Sequence, residues 1–164
     1  MNSIFKSDSQ QHEHNSPLEI MFNETPAFIL TGCRIVYVSD DFYEVHTIFE
    51  VSENTINCHK AGFGGAIYAS LDPIYPLQLH HILGDNYVIW DLAASIEYLK
   101  PILNHVHARF VITKDQIQII KVKVKLKNKA VLDFAVQYED LDGNIYAKAV
   151  KTIYIADKEY FDNR

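Results

Sequence analysis

A turn that holds three of the chain's six glycines leads directly into a long apolar segment. The turn spans residues 57–65, and the apolar segment spans residues 66–83, where Gly84 can end it. Glycines at a loop-to-helix junction let backbone N–H groups approach a ligand closely. The first N–H groups of a helix are unpaired and carry partial positive charge, so this junction is suited to hold a carbonyl oxygen or an oxyanion.

The apolar segment has the spacing of a buried helix that carries a single acidic side chain. Its apolar residues recur every three or four positions, and aromatic residues widen the apolar face, which predicts a helix enclosed by a sheet. Pro73 and Pro76 each remove an N–H group and crowd a carbonyl, so we expect a kink, and a break just after Asp72 is the alternative. Asp72 lies roughly 10 Å past Gly65 along the helix axis.

Most of the remaining chain has the composition of β-strands. Runs rich in Ile, Val, Phe, Tyr and Thr alternate with clusters of turn residues. The expected strands are residues 27–38, 42–51, 87–99, 104–113, 131–139 and 144–155. The first two and the last two of these strands are each expected to form an antiparallel hairpin.

Residues 114–129 contain two conflicting patterns. Thr113 and the polar residues after it are typical of a helix start, so we expect a short helix near residues 114–120. Beyond it, Val and Leu alternate with lysines as far as Lys127, and this period of two predicts a strand beginning near Lys121. The lysine row is expected to be a solvated strand face or a protected edge, and attraction of the phosphates of a carrier such as coenzyme A is the functional alternative.

Composition and charge narrow the functional classes. The chain has 164 residues, enough for one domain with a substantial core. Its formal net charge of −6 argues against nucleic-acid binding, because phosphate contacts need concentrated Lys and Arg. No apolar run reaches the ~20 residues of a membrane span, and the N-terminus lacks a signal pattern, so we expect a cytoplasmic protein. The expected organisation is a disordered tail (1–16), one domain (17–156) and a charged tail (157–164).

The cysteines and histidines do not predict a bridge or a metal site. Cys33 and Cys58 are too few for a disulfide framework, so two reduced thiols are expected. Cys58 beside the glycine turn could instead be a nucleophile, although the sequence places no base against it. The histidine pairs lack a third ligand, so no metal is expected.

Three segments, in the same order, resemble the hot-dog-fold thioesterase superfamily. In the first segment Asn57 lies seven residues before Gly64, and Asp72 lies seven residues after Gly65. The other two segments resemble the strand after the central helix and the final hairpin, and they are residues 87–101 and 142–155. The resemblance is greatest to a subgroup known only as a domain of unknown function with thioesterase-like character.

This resemblance implies an α+β hot-dog fold, in which a curved antiparallel sheet wraps around one long central helix. Hot-dog domains dimerise, so it also implies a homodimer, with pairing of dimers as a further option, and a site between helices of the two chains. A dimer would solve a problem of distance, because Asp72 lies too far from the glycine N–H groups of its own chain to act on the same carbonyl.

The same resemblance implies a hydrolase of acyl thioesters carried by coenzyme A or by a carrier protein. The N–H groups of Gly64 and Gly65 would polarise the thioester carbonyl. Asp72 of the other subunit would activate water or attack the carbonyl itself, and Asn57 would orient the water or the acyl group. The other residues expected to bind substrate are Phe63, Tyr68, Trp90 and Asp91. No cofactor is expected, since coenzyme A would enter only as part of the substrate.

Departures from the family pattern leave two other functions open. Phe63 stands where many of these thioesterases have histidine, and Lys60 and Ala61 replace a Gly-Thr pair, so the protein could bind acyl thioesters without turning them over. Asp72 would then only accept hydrogen bonds within the dimer interface. A hot-dog hydratase or dehydratase would need a histidine poised with a carboxylate, and His59, which is near the turn, does not match that placement.

Overall fold

The computed structural model describes residues 23–163, which form an antiparallel sheet and several helices. The strands are β1 (Cys33–Val38), β2 (Glu44–Phe49), β3 (Tyr87–Tyr98), β4 (Val106–Val111), β5 (Lys129–Glu139) and β6 (Ile145–Asp157). The helices are α1 (Pro26–Ile29), α2 (Gly64–Leu71), α3 (Ile74–Leu83), α4 (Lys114–Lys127) and α5 (Lys158–Asp162). The strand order in the sheet is β1-β2-β4-β5-β6-β3.

The sheet encloses α2 and α3, which carry the central apolar segment. Ile67, Leu71 and Ile74 from these helices are buried in one core with the inward-facing residues of the strands. Within that core Tyr75 packs edge-on against Phe110, with ring centroids 5.1 Å apart. The sheet covers this apolar face, so these three side chains are almost entirely removed from water. The expected α+β architecture, an antiparallel sheet around a central helical segment, is confirmed.

The central segment is broken into two helices just after Asp72, where Pro73 lacks the N–H group that a continuous helix would need. Helix α2 ends at Leu71 with Asp72 as its C-cap, and Pro73 is the N-cap of α3. The backbone stays near helical dihedrals there, while the run of helical hydrogen bonds is interrupted. Gly84 ends α3 with a φ of 82°, and its N–H donates to the carbonyl of His80 at 2.8 Å. The structure thus has the break that was the alternative to the expected kink, and the expected end at Gly84 is confirmed.

The first strand starts later than expected. Residues 26–29 form a helical turn with Pro26 at its start, where a missing N–H does no harm. The chain then turns at Gly32, whose φ is 75°, and a Cβ there would lie 2.5 Å from Cγ2 of Thr55. Strand β1 therefore begins at Cys33, and the expectation of a strand from residue 27 is wrong because this turn comes first.

The lysine-rich segment is a single helix, and the expectation of a strand beginning near Lys121 is wrong. Helix α4 continues to Lys127 because Ile117, Ile120 and Val124, spaced by three and four residues, are buried against the sheet. Of the apolar residues that alternate with lysine, only Val124 is buried. The alternation of apolar residues with lysine therefore does not match the pattern of buried and exposed residues in α4.

The chain ends are described only in part. The tail expected at residues 1–16 lies outside the described residues, and so does the start of the domain expected from residue 17. In the charged C-terminal segment, Asp157 caps α5 by accepting a hydrogen bond from the N–H of Tyr160 at 3.0 Å. Within residues 23–163, none of the helices has both the length and the apolar character that crossing a membrane requires.

Candidate active site

The turn before α2 is built around the side chain of Asn57. Its Oδ1 accepts hydrogen bonds from the N–H groups of His59, at 2.9 Å, and Ala61, at 3.2 Å. The backbone N–H of Asn57 also donates to the carbonyl of Ala61 at 2.8 Å. Lys60 takes up the left-handed conformation, with a φ of 59°, that closes the turn. Asn57 is therefore the residue that shapes the approach to the glycines.

The residues that enter α2 are held by backbone hydrogen bonds on both sides. The N–H of Gly62 donates to the carbonyl of Ile102 at 2.7 Å, and the N–H of Phe63 donates to the carbonyl of Thr55 at 2.6 Å. Helix α2 then begins at Gly64, and Phe63 at its N-cap provides no side-chain hydrogen bond. The N–H groups in the first turn of α2 are consequently not capped by the side chain of Phe63.

A cleft of about 330 Å³ lies beside this junction. Its lining includes Asn57, Gly62, Gly64, Tyr98, Leu99 and Ile102. The hydroxyl of Tyr98 donates to the carbonyl of Gly64 at 2.8 Å, and a Cβ on Gly64 would lie 3.3 Å from the Tyr98 ring. The close approach of Tyr98 explains why a glycine suits this position.

The side chain of Phe63 lies over Gly65, the second residue of α2. A Cβ placed on Gly65 would lie 2.7 Å from Cε1 of Phe63, so the ring occupies the space that a side chain would need. Phe63 is 56% exposed, which leaves one side of its ring to water. The ring packs at the start of α2 and brings no hydrogen-bonding group to it.

The other end of α2 carries a cluster of charged residues around Lys151. The ammonium group of this fully buried lysine contacts Oδ1 of Asp72 and lies 2.9 Å from Oδ2 of Asp91. The hydroxyl of Tyr68 also donates to Oδ1 of Asp72, at 3.3 Å. Nζ of Lys151 lies 5.5 Å from the centroid of the Tyr68 ring, within cation–π range.

This cluster keeps its lysine charged at neutral pH. Burial acts to lower the pKa of Lys151, but the hydrogen bonds to Asp72 and Asp91 and the charges of both carboxylates outweigh it and raise the pKa. The pKa of Asp91 is raised from its usual value because burial disfavours its charge, against the hydrogen bond from Lys151. Oδ1 of Asp91 is buried with no hydrogen-bond partner among the described residues.

The pairing of the strands brings this cluster together. Lys151 lies on β6 opposite Ala94 of β3, and Asp91 lies opposite Ile153. The register shifts by one residue between Asp91 and Ala93, a β-bulge that leaves Leu92 unpaired. Because of this bulge, Asp91 is on the same face of the sheet as Lys151.

The structure divides the expected site residues into two groups. Asn57, Gly64, Gly65 and Phe63 surround the start of α2, while Tyr68, Asp72 and Asp91 surround Lys151. Asp72 lies seven positions after Gly65, which is about 10 Å at the rise of an α-helix. Trp90 belongs to neither group, since it stacks on Tyr154 with ring centroids 4.2 Å apart and meets Phe161 edge-on. Among residues 23–163, no cluster of His, Cys, Asp or Glu side chains could hold a metal ion.

Two residues of the site were not indicated by the sequence reasoning. Lys151 is one of them, although β6 alternates buried and exposed residues and Lys151 shares its buried positions with Ala149 and Ile153. A lysine at a position where the alternation predicts a buried residue indicates a buried charge, and a buried charge needs an acidic partner. Tyr98 carried no such signal, because its bond to Gly64 depends on where β3 lies.

The matched family spans the whole of this site. A model of a domain of unknown function, DUF4442, matches residues 18–155. The chain belongs to the DUF4442 family. The match contains both groups of site residues, from Asn57 to Lys151. None of the curated protein sequences matches the chain.

The DUF4442 chain shares its fold with solved thioesterase structures. A protein of unknown function from Pseudomonas aeruginosa, described as a probable thioesterase, has a TM-score of 0.74 and 13% identity over 85% of this chain and 93% of its own. A thioesterase from Haemophilus influenzae has a TM-score of 0.64 and 14% identity over 85% and 88%. A mutant thioesterase from Pseudomonas aeruginosa has a TM-score of 0.65 and 12% identity over 90% and 97%. Similarity at such low identity shows the fold alone, and this chain has the expected hot-dog fold.

Proposed function

We propose that the protein hydrolyses acyl thioesters, carried by coenzyme A or by a carrier protein, at a site formed between two subunits. The observation that carries this proposal is the start of α2. The helix start has no side-chain cap, and Gly64 lines the cleft together with Asn57 and Tyr98. Two N–H groups at a helix start suit the oxygen of a thioester carbonyl, which becomes negative as a nucleophile attacks.

Asp72 supplies the carboxylate that this reaction needs. Lys151 and Tyr68 both contact its Oδ1, and the Asp72 side chain is 46% exposed. Oδ2 is therefore the oxygen that meets water, while the bond to Lys151 holds the carboxylate in one orientation.

The distance along α2 requires a second subunit. Asp72 lies about 10 Å from the glycines of its own helix, so one carbonyl cannot meet both groups within a single chain. Strand β3 lies at the edge of the sheet, is 12 residues long, and exposes Leu92 and Tyr98. Tyr98 and the following Leu99 also line the cleft. A long apolar edge strand is a template for pairing with another chain. Pairing of β3 with the partner's copy would bring the two α2 helices together.

In the proposed reaction, Asp72 of one subunit accepts a proton from water as the water oxygen bonds to the thioester carbon. The Gly64 and Gly65 N–H groups of the other subunit hold the carbonyl oxygen while it is negative. The C–S bond then breaks, and the departing thiolate takes a proton to leave as the thiol. Direct attack by Asp72, through an anhydride that water later hydrolyses, uses the same groups. The products are a carboxylic acid and a free thiol.

An Asp72→Asn variant tests the role of the carboxylate. We expect its hydrolysis of a panel of acyl-coenzyme A thioesters, followed by release of free thiol, to fall by about 10² or more. The matched control is Asp85→Asn, since Asp85 is an exposed carboxylate in the turn after α3. Full activity in the Asp72→Asn variant would refute the proposed role.

A mixing experiment tests the site between subunits. Refolding Asp72→Asn together with Gly65→Ala should produce hybrid dimers in which one of the two sites has neither change. If each variant is inactive alone, the mixture should recover about a quarter of wild-type activity, since half of the dimers are hybrids with one intact site. Recovery of no activity, with hybrid dimers present by mass spectrometry, would contradict a shared site.

The second candidate is a protein that binds acyl thioesters without hydrolysing them. It is favoured by the Phe63 ring over Gly65, which brings no polar group to the helix start, and by the cation that neutralises part of the charge of Asp72. Wild-type protein that binds acyl-coenzyme A in calorimetry and releases no thiol would support this candidate.

A further inference from the structure

Helix α4 carries two apolar stripes, and only one of them faces the core. Ile117, Ile120 and Val124 are buried against the sheet. The second set, which we call the outer stripe, consists of Ile119, Val122 and Leu126. These side chains are 45%, 55% and 75% exposed, respectively. A helix that needs only one apolar face for its own core therefore presents another to the solvent.

The outer stripe lies on the side of α4 opposite to its buried face. Its members are spaced by three and four residues, so they align along one side of the helix. At 100° per residue, the centre of the outer stripe is about 160° from the centre of the buried stripe. Exposed lysines flank it, with Lys121 and Lys125 on one side and Lys123 and Lys127 on the other.

In the part of the chain that the structure describes, these lysines form no ion pairs with acidic side chains. Lys121 and Lys125 are four residues apart, as are Lys123 and Lys127, and like charges at this spacing repel each other. None of the ion pairs formed within residues 23–163 includes a lysine of α4. The helix contains five lysines and one aspartate in a chain whose formal net charge is −6. This local positive charge is complementary to an anionic surface.

The helix that carries the outer stripe has well-formed ends. Oγ1 of Thr113 accepts from the N–H of Gln116 at 3.1 Å, and Oε1 of Gln116 accepts from the N–H of Thr113 at 2.7 Å. Asn128 ends the helix in the left-handed conformation, with a φ of 59°. The 14 residues of α4 extend over about 21 Å, so the stripe and its lysines form one preformed surface.

We propose that the outer stripe and its flanking lysines bind an anionic lipid surface. Helix α4 lies in the plane of the lipid headgroups, the outer stripe enters the boundary with the acyl chains, and the lysines reach sideways to the headgroup phosphates. The residue types favour lipid over a protein partner. Protein interfaces are enriched in aromatic residues and Arg and depleted in Lys, whereas this surface has aliphatic residues and Lys alone.

Contact between α4 and an anionic surface has to overcome electrostatic repulsion between that surface and the rest of the protein, because the protein as a whole is acidic. Charges are screened within about 8 Å at physiological ionic strength, so the lysines beside the headgroups dominate the interaction. Each lysine near an anionic surface strengthens partitioning by about fivefold. Three exposed aliphatic side chains add an apolar contribution that salt does not screen.

Flotation of the full-length protein with vesicles tests this proposal. The wild-type protein should float with vesicles of phosphatidylcholine that contain about 30% phosphatidylglycerol, and it should not float with vesicles of phosphatidylcholine alone. We expect Lys121→Glu with Lys125→Glu to reduce partitioning by about 25-fold or more, because two attractive charges become repulsive. Leu126→Glu, which keeps helix propensity, should reduce partitioning by about tenfold. The matched controls are Lys158→Glu and Leu141→Glu, exposed residues outside α4, and both should bind as wild type.

The other outcomes are equally clear. Binding to anionic vesicles that survives the changes in α4 would overturn the proposal, and so would failure of the wild type to bind them. An outer stripe covered by a second copy would appear in light scattering as a larger assembly that Leu126→Glu dissociates, with no vesicle binding by the wild type. Retention on an immobilised acidic protein, again without vesicle binding, would assign the surface to a protein partner.

Discussion

Replacement of Lys151 by methionine is the sharpest test of the charged cluster. Methionine has nearly the volume of the buried part of lysine, so the change removes the cation and leaves little cavity. Asp72 and Asp91 would then face each other without the ammonium group between them. The variant therefore isolates the electrostatic contribution of Lys151 to the free energy of unfolding.

The expected magnitude follows from the burial of the three groups. Removing one partner of a buried ion pair costs about 3–5 kcal/mol, because the charge left behind is uncompensated. Here the side chains of Asp72 and Asp91 are 46% and 25% exposed, so water offsets part of the loss. We expect Lys151→Met to lower the free energy of unfolding by about 2–3 kcal/mol at pH 7.

The loss should depend on pH through Asp91. Its pKa is raised in the folded protein, so ionising it disfavours folding, and removing Lys151 raises that pKa further. The loss of stability in the Lys151→Met variant is thus present when Asp91 is ionised. It decreases as the pH falls through the folded-state pKa of Asp91. In the wild type, the raised pKa of Lys151 gives stability that is lost only in the alkaline range. The difference between the two proteins should therefore be larger at pH 8 than at pH 5.

Urea unfolding followed by the fluorescence of Trp90, the single tryptophan, measures these free energies. The control is Lys148→Met, an exposed lysine on the same strand, which should stay within about 0.5 kcal/mol of wild type. Adding Asp91→Asn to Lys151→Met should recover part of the loss, because it removes one of the two unpaired charges. A loss from Lys151→Met that is below about 0.5 kcal/mol, or is equal at pH 5 and pH 8, would refute the reasoning.

Two further predictions concern the glycine junction and the thiols. Gly65→Ala should lower thioester hydrolysis by about tenfold or more, because the new Cβ would lie 2.7 Å from Cε1 of Phe63 and would displace that ring. Adding Phe63→Ala should restore part of the activity if the displaced ring is the cause. Burial raises the pKa of the Cys33 thiol to about 11, whereas Cys58 is an exposed free cysteine. A disulfide-exchange reagent at pH 8 should therefore modify only Cys58 in the native protein and both thiols after unfolding, and rapid native modification of Cys33 would contradict the described burial.

Much of the fold was predictable because its signals act within a few residues. Proline cannot donate a backbone hydrogen bond, so Pro73 and Pro76 made a kink, or a break just after Asp72, predictable. Glycine tolerates positive φ, so Gly84 could be identified as the end of the helical segment. The failure at α4 arose because alternation of Val and Lys is compatible with two periods. Burial of Ile117 and Ile120 by the sheet decided between them.

The candidate site was predictable in the same uneven way. Asn57, the glycine pair and Asp72 were found from their spacing within one continuous segment, although their chemical roles remain predictions. Lys151 lies 79 residues from Asp72 in the chain, so no local pattern links the two. Their contact depends on the register of β3 and β6.

The amino-acid sequence by itself determined where the helices begin and break, because capping, φ preference and a missing N–H act on neighbouring residues. It also determined that a glycine junction precedes an isolated carboxylate. Only the tertiary structure decided what surrounds that carboxylate, since a bulge at Leu92 aligns Asp91 with Lys151 across separate strands. It likewise decided that α4 is a helix with a second apolar face. Strand register and helix burial are set by contacts between distant segments, and these contacts form only when the whole sheet closes around its core.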